Sequence, residues 1–133
     1  MKKEVRMEIF RYPIKGPFKD EAQFKKAMLA MWRSVCPGDA FFEIEEGEVN
    51  PGMPDILRIS NDFPAALYEF KITDANGGIV FQKTQPLFYK KYSYLKIYIL
   101  IWDTRLGEVV AMDPQEVIEA KSLRMKIPVS LSR

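Results

Sequence analysis

Two acids and a lysine stand inside apolar runs that would ordinarily exclude them. Asp55 opens the run Asp55-Ile56-Leu57, shortly after the turn Asn50-Pro51-Gly52, and Glu69 and Lys71 sit within Leu67-Tyr68-Glu69-Phe70-Lys71-Ile72. Burying charge in a strand is costly unless a partner or a bound ion compensates it. Two carboxylates brought within a few ångström raise each other's pKa unless a cation lies between them. A hard divalent cation takes such oxygens, keeps several waters and accepts the rest of its shell from substrate phosphate. Lys71, two residues beyond Glu69, shares its strand face. An ammonium there can orient a water nucleophile and offset charge growing on a phosphate. The peptide carbonyl of Phe70, between them, is a further oxygen. The combination is suited to metal-assisted hydrolysis of a nucleic-acid phosphodiester. Each fragment has a plainer reading on its own: Asp55 as an acid capping the preceding turn, Glu69 and Lys71 as a surface ion pair of little energetic weight. Only the conjunction favours a site.

The composition narrows the chemistry further. The chain has 133 residues, 47% of them hydrophobic, which fits one domain (1–133) with a sizeable core. Its formal net charge of +2 neither demands nor excludes a polyanionic partner. There is no histidine, so a histidine triad, a histidine-liganded metal and a histidine general base are excluded within this chain. The lone Cys36 allows no intrachain disulfide and no cysteine zinc site, and reads as a small buried hydrophobe. Any metal must therefore bind through oxygen, which selects Mg²⁺, Mn²⁺ or Ca²⁺. No apolar region follows Met1-Lys2-Lys3-Glu4, and the longest apolar run, Ile97 to Trp102, is too short to span a bilayer. A soluble, cytoplasmic protein is expected.

The elements that must position these residues follow from periodicity. Residues 4–14 read as an edge strand or an arm. From Asp20 to Val35 the apolar residues Phe24, Ala27, Met28, Met31, Trp32 and Val35 recur at helical spacing, with Asp20 and Gln23 as a capping pair and Pro37-Gly38 as the stop. Glu21 is in phase with that stripe, so it belongs on the packed side or its edge; a first-turn acid favoured by the helix dipole is the equal alternative. Strands are expected over Phe41–Val49, with Phe42 and Ile44 alternating against Glu43 and Glu45, then over Asp55–Ser60 and Ala65–Ile72, as an antiparallel meander. Asp74 to Gly78 is a loop. A helix follows, starting no earlier than Gln82 because Pro86 belongs in its first turn, and running to about Tyr94, with Gln85, Phe88, Tyr92 and Leu95 on its inner face. Lys96–Asp103 is apolar almost throughout, as a strand buried on both faces and parallel to its neighbour would be. A hairpin partner over Gly107–Asp113 and a short helix over Pro114–Lys121 complete a mixed α/β fold on one central sheet.

At this point the residues resemble a known family. Met53-Pro54-Asp55, then thirteen residues, then Glu69-Phe70-Lys71 is similar to the signature of the PD-(D/E)xK nuclease superfamily. The order helix, three-strand meander, helix, strand resembles its restriction-endonuclease-like core, over about residues 20–103. Gln85-Pro86-Leu87-Phe88-Tyr89 resembles the Q-x-x-x-Y motif of RecB-type members. Gly52-Met53-Pro54-Asp55 with a glutamine in the next helix resembles the virus-type replication-repair nuclease (VRR-NUC) and Holliday-junction-resolvase branches. Two departures stand out: Glu21 lacks a distinctive local motif, and Pro86 is unusual within the glutamine motif.

The resemblance implies a site. Asp55 and Glu69 would be metal ligands, with the Phe70 carbonyl and Glu21 completing the shell of Mg²⁺ or Mn²⁺, and Lys71 the catalytic lysine. Gln85 and Tyr89 would position phosphate or lysine. Tyr89, Lys83, Lys90 and Lys91 would contact nucleic acid, the lysines supplying sequence-independent phosphate contacts; taken singly, those lysines also read as a solvated face and Tyr89 as core. No base-reading motif is present, so shape is expected to be recognised rather than a long sequence. The implied activity is a Mg²⁺-dependent DNA endonuclease specific for branched structures such as junctions or flaps, acting in replication, recombination or repair. A homodimer would supply two sites, and so compact a chain would suit a viral or phage genome-processing enzyme. The alternative is a catalytically inactive nucleic-acid-binding module of the same fold.

Overall fold

A computed structural model describes residues 7–10, 12–45 and 51–128. Its centre is a six-stranded mixed sheet in the order β1-β7-β6-β4-β3-β2. The strands β2 (Ala40–Glu43), β3 (Ile56–Ile59) and β4 (Ala66–Ile72) form the expected antiparallel meander. The strand β6 (Lys96–Asp103) runs parallel to β4, pairing Glu69 with Ile99 and Lys71 with Ile101. Such a pairing needs a crossover, and the helix α2 (Thr84–Lys91) lies within it. The strand β7 (Glu108–Met112) returns antiparallel to β6, and β1 (Met7–Phe10) closes that edge.

The helix α1 (Glu21–Val35) covers one face of the sheet. Asp20 caps it by accepting from the Gln23 amide at 2.9 Å, and the Gln23 side chain reaches back to the Lys19 amide at 2.7 Å. Phe24, Met28, Leu29 and Trp32 are its buried residues and pack on Ile56, Tyr68, Phe70, Leu100 and Trp102. Leu29 thus joins the apolar stripe, whereas Val35 at the helix end is exposed. The opposite face carries α2, the short helix α3 (Pro114–Glu119) and a two-stranded ribbon made of β5 (Gly78–Val80) and β8 (Arg124–Lys126). Leu67, Ile97, Ile99, Ile101, Val110 and Met112 of the sheet meet Ile79, Phe81, Tyr89, Val117 and Ile127 there.

Several expectations are corrected. The helix α2 stops at Lys91, three residues short of Tyr94, and Leu95 lies beyond it, exposed. Its buried residues are Gln85 and Tyr89, one turn apart, rather than a stripe through Phe88 and Leu95. Phe42 is exposed on the edge strand, and it is Phe41 that turns inward to stack on Trp32 with ring centroids 5.6 Å apart. The C-terminal half of the strand expected over Phe41–Val49 extends outside the described residues. The ribbon β5–β8 was not foreseen: each strand is three residues long and its partner lies more than forty residues away. Among the described residues no helix is long and apolar enough to cross a membrane.

Candidate active site

The irregular point of the sheet lies at Asp55. Tyr68 is the register partner of Ile56, yet its carbonyl also accepts from the Asp55 amide at 2.8 Å. Two consecutive residues therefore oppose one, the two-against-one count of a β-bulge, a device that ends pairing and re-aims a side chain. The Asp55 carboxylate turns along β4 and accepts from the Phe70 amide at 2.9 Å. Pro54, the residue before, has no N–H to continue the ladder. Backbone groups two residues apart on a strand face the same neighbour. Tyr68 and Phe70 both turn toward the β3 side, so the Phe70 carbonyl points to the edge where β3 has ended.

Glu69 stands on β4 beside this gap and is only 4% exposed. Its Oε1 is buried without a hydrogen-bond partner. Burial, then the Asp55 charge and a hydrogen bond with that carboxyl, push the Glu69 pKa up to about 9, against a smaller opposing pull from Lys71. Without a cation Glu69 therefore holds a proton at neutral pH. An orphaned buried carboxyl oxygen, a second carboxylate against it and a peptide oxygen turned to the same edge are a donor set that fits a hard divalent cation. Among the described residues no three His, Cys, Asp or Glu side chains converge into a closed cage. The fit is thus to an ion that keeps waters and takes substrate oxygens.

Lys71 is 6% exposed and held on three sides. Its Nζ donates to the Val80 carbonyl at 3.0 Å and to Gln85 Oε1 at 3.1 Å, and lies 4.8 Å from the centre of the Phe81 ring. Gln85 Oε1 also accepts from the Gln82 amide at 2.8 Å. Both of its partners are donors, which fixes the amide orientation. Gln85 is brought to this point by the loop before Asp55. Gly52 adopts φ +79° and is so close to the Thr84 carbonyl at the start of α2 that a Cβ would collide with it. Only glycine meets both demands.

The sequence-predicted residues divide accordingly. Asp55, Glu69, the Phe70 backbone, Lys71 and Gln85 come together. Glu21, half-buried in the first turn of α1, belongs to the helix on the other sheet face. Its pKa is raised by burial, drawn down by Lys71 and raised again by Asp55 and Asp20, so it feels the site through charge. Its charge in turn raises the Glu69 pKa, in keeping with its expected place at the metal, directly or through a water. Tyr89 is 1% exposed and packs edge-on to Phe81, so its ring lies within the core and not at the surface a nucleotide would meet. The expectation that it contacts nucleic acid is corrected; it is core. Lys83, Lys90 and Lys91 are exposed around α2, as a phosphate-contacting role requires. The residues missed are Val80 and Phe81. A backbone carbonyl in a three-residue strand and a ring just after it leave no local signal that they meet a lysine nine and ten residues earlier.

Compared with known proteins, the chain matches no family model and no curated protein. Among solved structures it matches the 1.6 Å structure of Archaeoglobus fulgidus Hjc, a Holliday junction resolvase from an archaeal hyperthermophile. The TM-score is 0.56 and the identity 14%, over 79% of this chain and 87% of that one. At that identity the likeness speaks for architecture: this chain has a restriction-endonuclease-like fold, shared with an archaeal Holliday junction resolvase.

Proposed function

We propose that the chain is a metal-dependent DNA endonuclease that hydrolyses phosphodiester bonds in branched DNA, with four-way junctions as its first candidate substrate. One observation carries the reading: a buried, unpartnered Glu69 oxygen lies against the Asp55 carboxylate while Gln85 holds Lys71 on the same face. A surface ion pair would need none of this burial. The fold shared with a junction resolvase supports the choice of substrate.

The roles we assign are supported by this geometry. Asp55, Glu69 and the Phe70 carbonyl would hold Mg²⁺ or Mn²⁺. Bound there, the cation would neutralise the carboxylate pair and polarise the phosphoryl group in contact with it. Lys71 has three N–H donors. Two are committed to Val80 and Gln85, and the third is left to orient the attacking water or to meet charge growing on a phosphoryl oxygen. Lys83, Lys90 and Lys91 would supply phosphate contacts. Cutting both strands of a junction calls for two sites, and hence two copies of the chain.

The test is cleavage of four-way, flap and linear duplex DNA with Mg²⁺ or Mn²⁺. Branched substrates should be cut in preference to linear ones. Asp55→Asn and Lys71→Ala should each abolish cutting while retaining DNA binding. Intact binding with no cleavage of any substrate under either cation would overturn the proposal in favour of a binding module.

A further inference from the structure

The ribbon on the second face of the sheet touches the site through its backbone. Register pairs Gly78 with Lys126, Ile79 with Met125 and Val80 with Arg124. At its two ends the Phe81 amide donates to the Leu123 carbonyl at 2.8 Å, and the Ile127 amide to the Gly77 carbonyl at 2.9 Å. Antiparallel ladders alternate between residue pairs that exchange hydrogen bonds and pairs that do not. With 77/127 and 81/123 bonded, Gly78 and Val80 must turn their backbone groups away from β8. Both do: the Gly78 carbonyl accepts from the Asp74 amide at 2.9 Å, and the Val80 carbonyl accepts from Lys71 Nζ at 3.0 Å. The same register presents the Phe81 ring to the lysine. A slip of one residue would point the Val80 carbonyl at β8 and take it from Lys71. Ile127, buried at 1%, anchors the far end of the strand in the core.

We infer that the C-terminal strand β8 is a positioning element for Lys71: residues 123–127 set the register of β5, and through it the Val80 carbonyl and the Phe81 ring that hold the ammonium. Val80 and Phe81 are positioning residues, acting through the lysine. The inference rests on the endonuclease reading for its kinetic consequence but not for its structural one.

Met125→Pro, which removes an amide from the middle of the β8 ladder, tests it in the full chain. Two readouts are taken: the single-turnover cleavage rate at saturating junction DNA with its separate DNA Kd, and the acylation rate of each lysine by mass spectrometry, with exposed Lys83 as internal reference. The wild-type Lys71 should be protected. In Met125→Pro it should be acylated at close to the Lys83 rate, and the cleavage rate should fall roughly tenfold, the scale of one lost buried hydrogen bond, at a Kd within about twofold. Met125→Leu should restore both. Ile127→Ala loosens the buried anchor of β8 and keeps every amide of the ladder, so it decides the matter should Met125→Pro not fold: Lys71 should gain reactivity and the rate should fall. A Lys71 that stays protected with an unchanged rate in the folded variants overturns the inference. If the wild type cuts no DNA, the endonuclease reading fails, and the acylation arm alone decides on the strand.

Discussion

Glu69→Gln should separate the burial of this carboxyl from everything else that titrates in the protein. In the metal-free wild type the Glu69 pKa stands near 9 rather than the ordinary 4.5. The folded state therefore keeps a proton that the unfolded chain has released, and stability falls as pH rises from 4.5 toward 9, whereas below 4.5 the penalty is absent. One unit corresponds to about 1.4 kcal/mol, so between pH 5 and pH 8 this one group should remove about 4 kcal/mol. For a chain of this size that is roughly 15 °C in Tm. Glutamine cannot ionise, so the variant should lack this share of the pH dependence. Thermal melts of both proteins in EDTA, subtracted at each pH, cancel the remaining titrations. The difference should widen steadily in favour of the variant as pH rises. Millimolar Mg²⁺ or Mn²⁺ should recover the wild type at pH 8 and leave Glu69→Gln unmoved. A difference that stays flat from pH 5 to pH 8 would refute the buried, protonated carboxyl.

Three further outcomes are expected. Gly52→Ala meets both a positive φ and the Thr84 carbonyl, and should cost on the order of 2 kcal/mol, read as a lowered urea midpoint together with weakened cation binding. Gln85→Leu leaves the Gln82 amide and one Lys71 donor unpaired; a loss of about 1–3 kcal/mol, with reduced cleavage at unchanged DNA Kd, should follow. Arg105→Ala removes the ion pair of Asp103, which is 1% exposed and bound at 3.0 and 2.9 Å through the Arg105 Nε and Nη2, and leaves its carboxylate the residue-105 backbone amide at 3.0 Å. About 3–5 kcal/mol should be lost on urea unfolding.

What could be read from sequence and what could not follow from where each signal resides. Asp55, Glu69 and Lys71 announce themselves because a charge inside an apolar run is a local anomaly. Gln85 does so because Pro86 beside it pins the helix start. Their union depends on a three-strand meander with short turns, which period and turn residues also reveal. Tyr89 taken singly reads as core, and only the resemblance turns it toward nucleic acid; its burial one turn after Gln85 follows the first of these readings. The lysine's other partners were hidden for a different reason. A carbonyl has the same chemistry at every position, and what selects that of Val80 is the pairing of β5 with a strand over forty residues distant. The bulge at Asp55 is similarly mute, since it is a count of residues and not a kind of residue.

That count has a consequence for how the region can vary. Substitutions between Gly52 and Tyr68 alter one side chain each, and many would leave the backbone path intact. Removing or adding a single residue beside Asp55 is another matter. It would regularise or double the bulge, rotate Asp55 off the Phe70 amide and exchange the two faces of β3. The stretch behaves as a reading frame written in backbone geometry. Natural or engineered relatives should therefore tolerate replacement there far more readily than a change in length, and loop insertions should collect instead at the exposed turn Asn61 to Ala65.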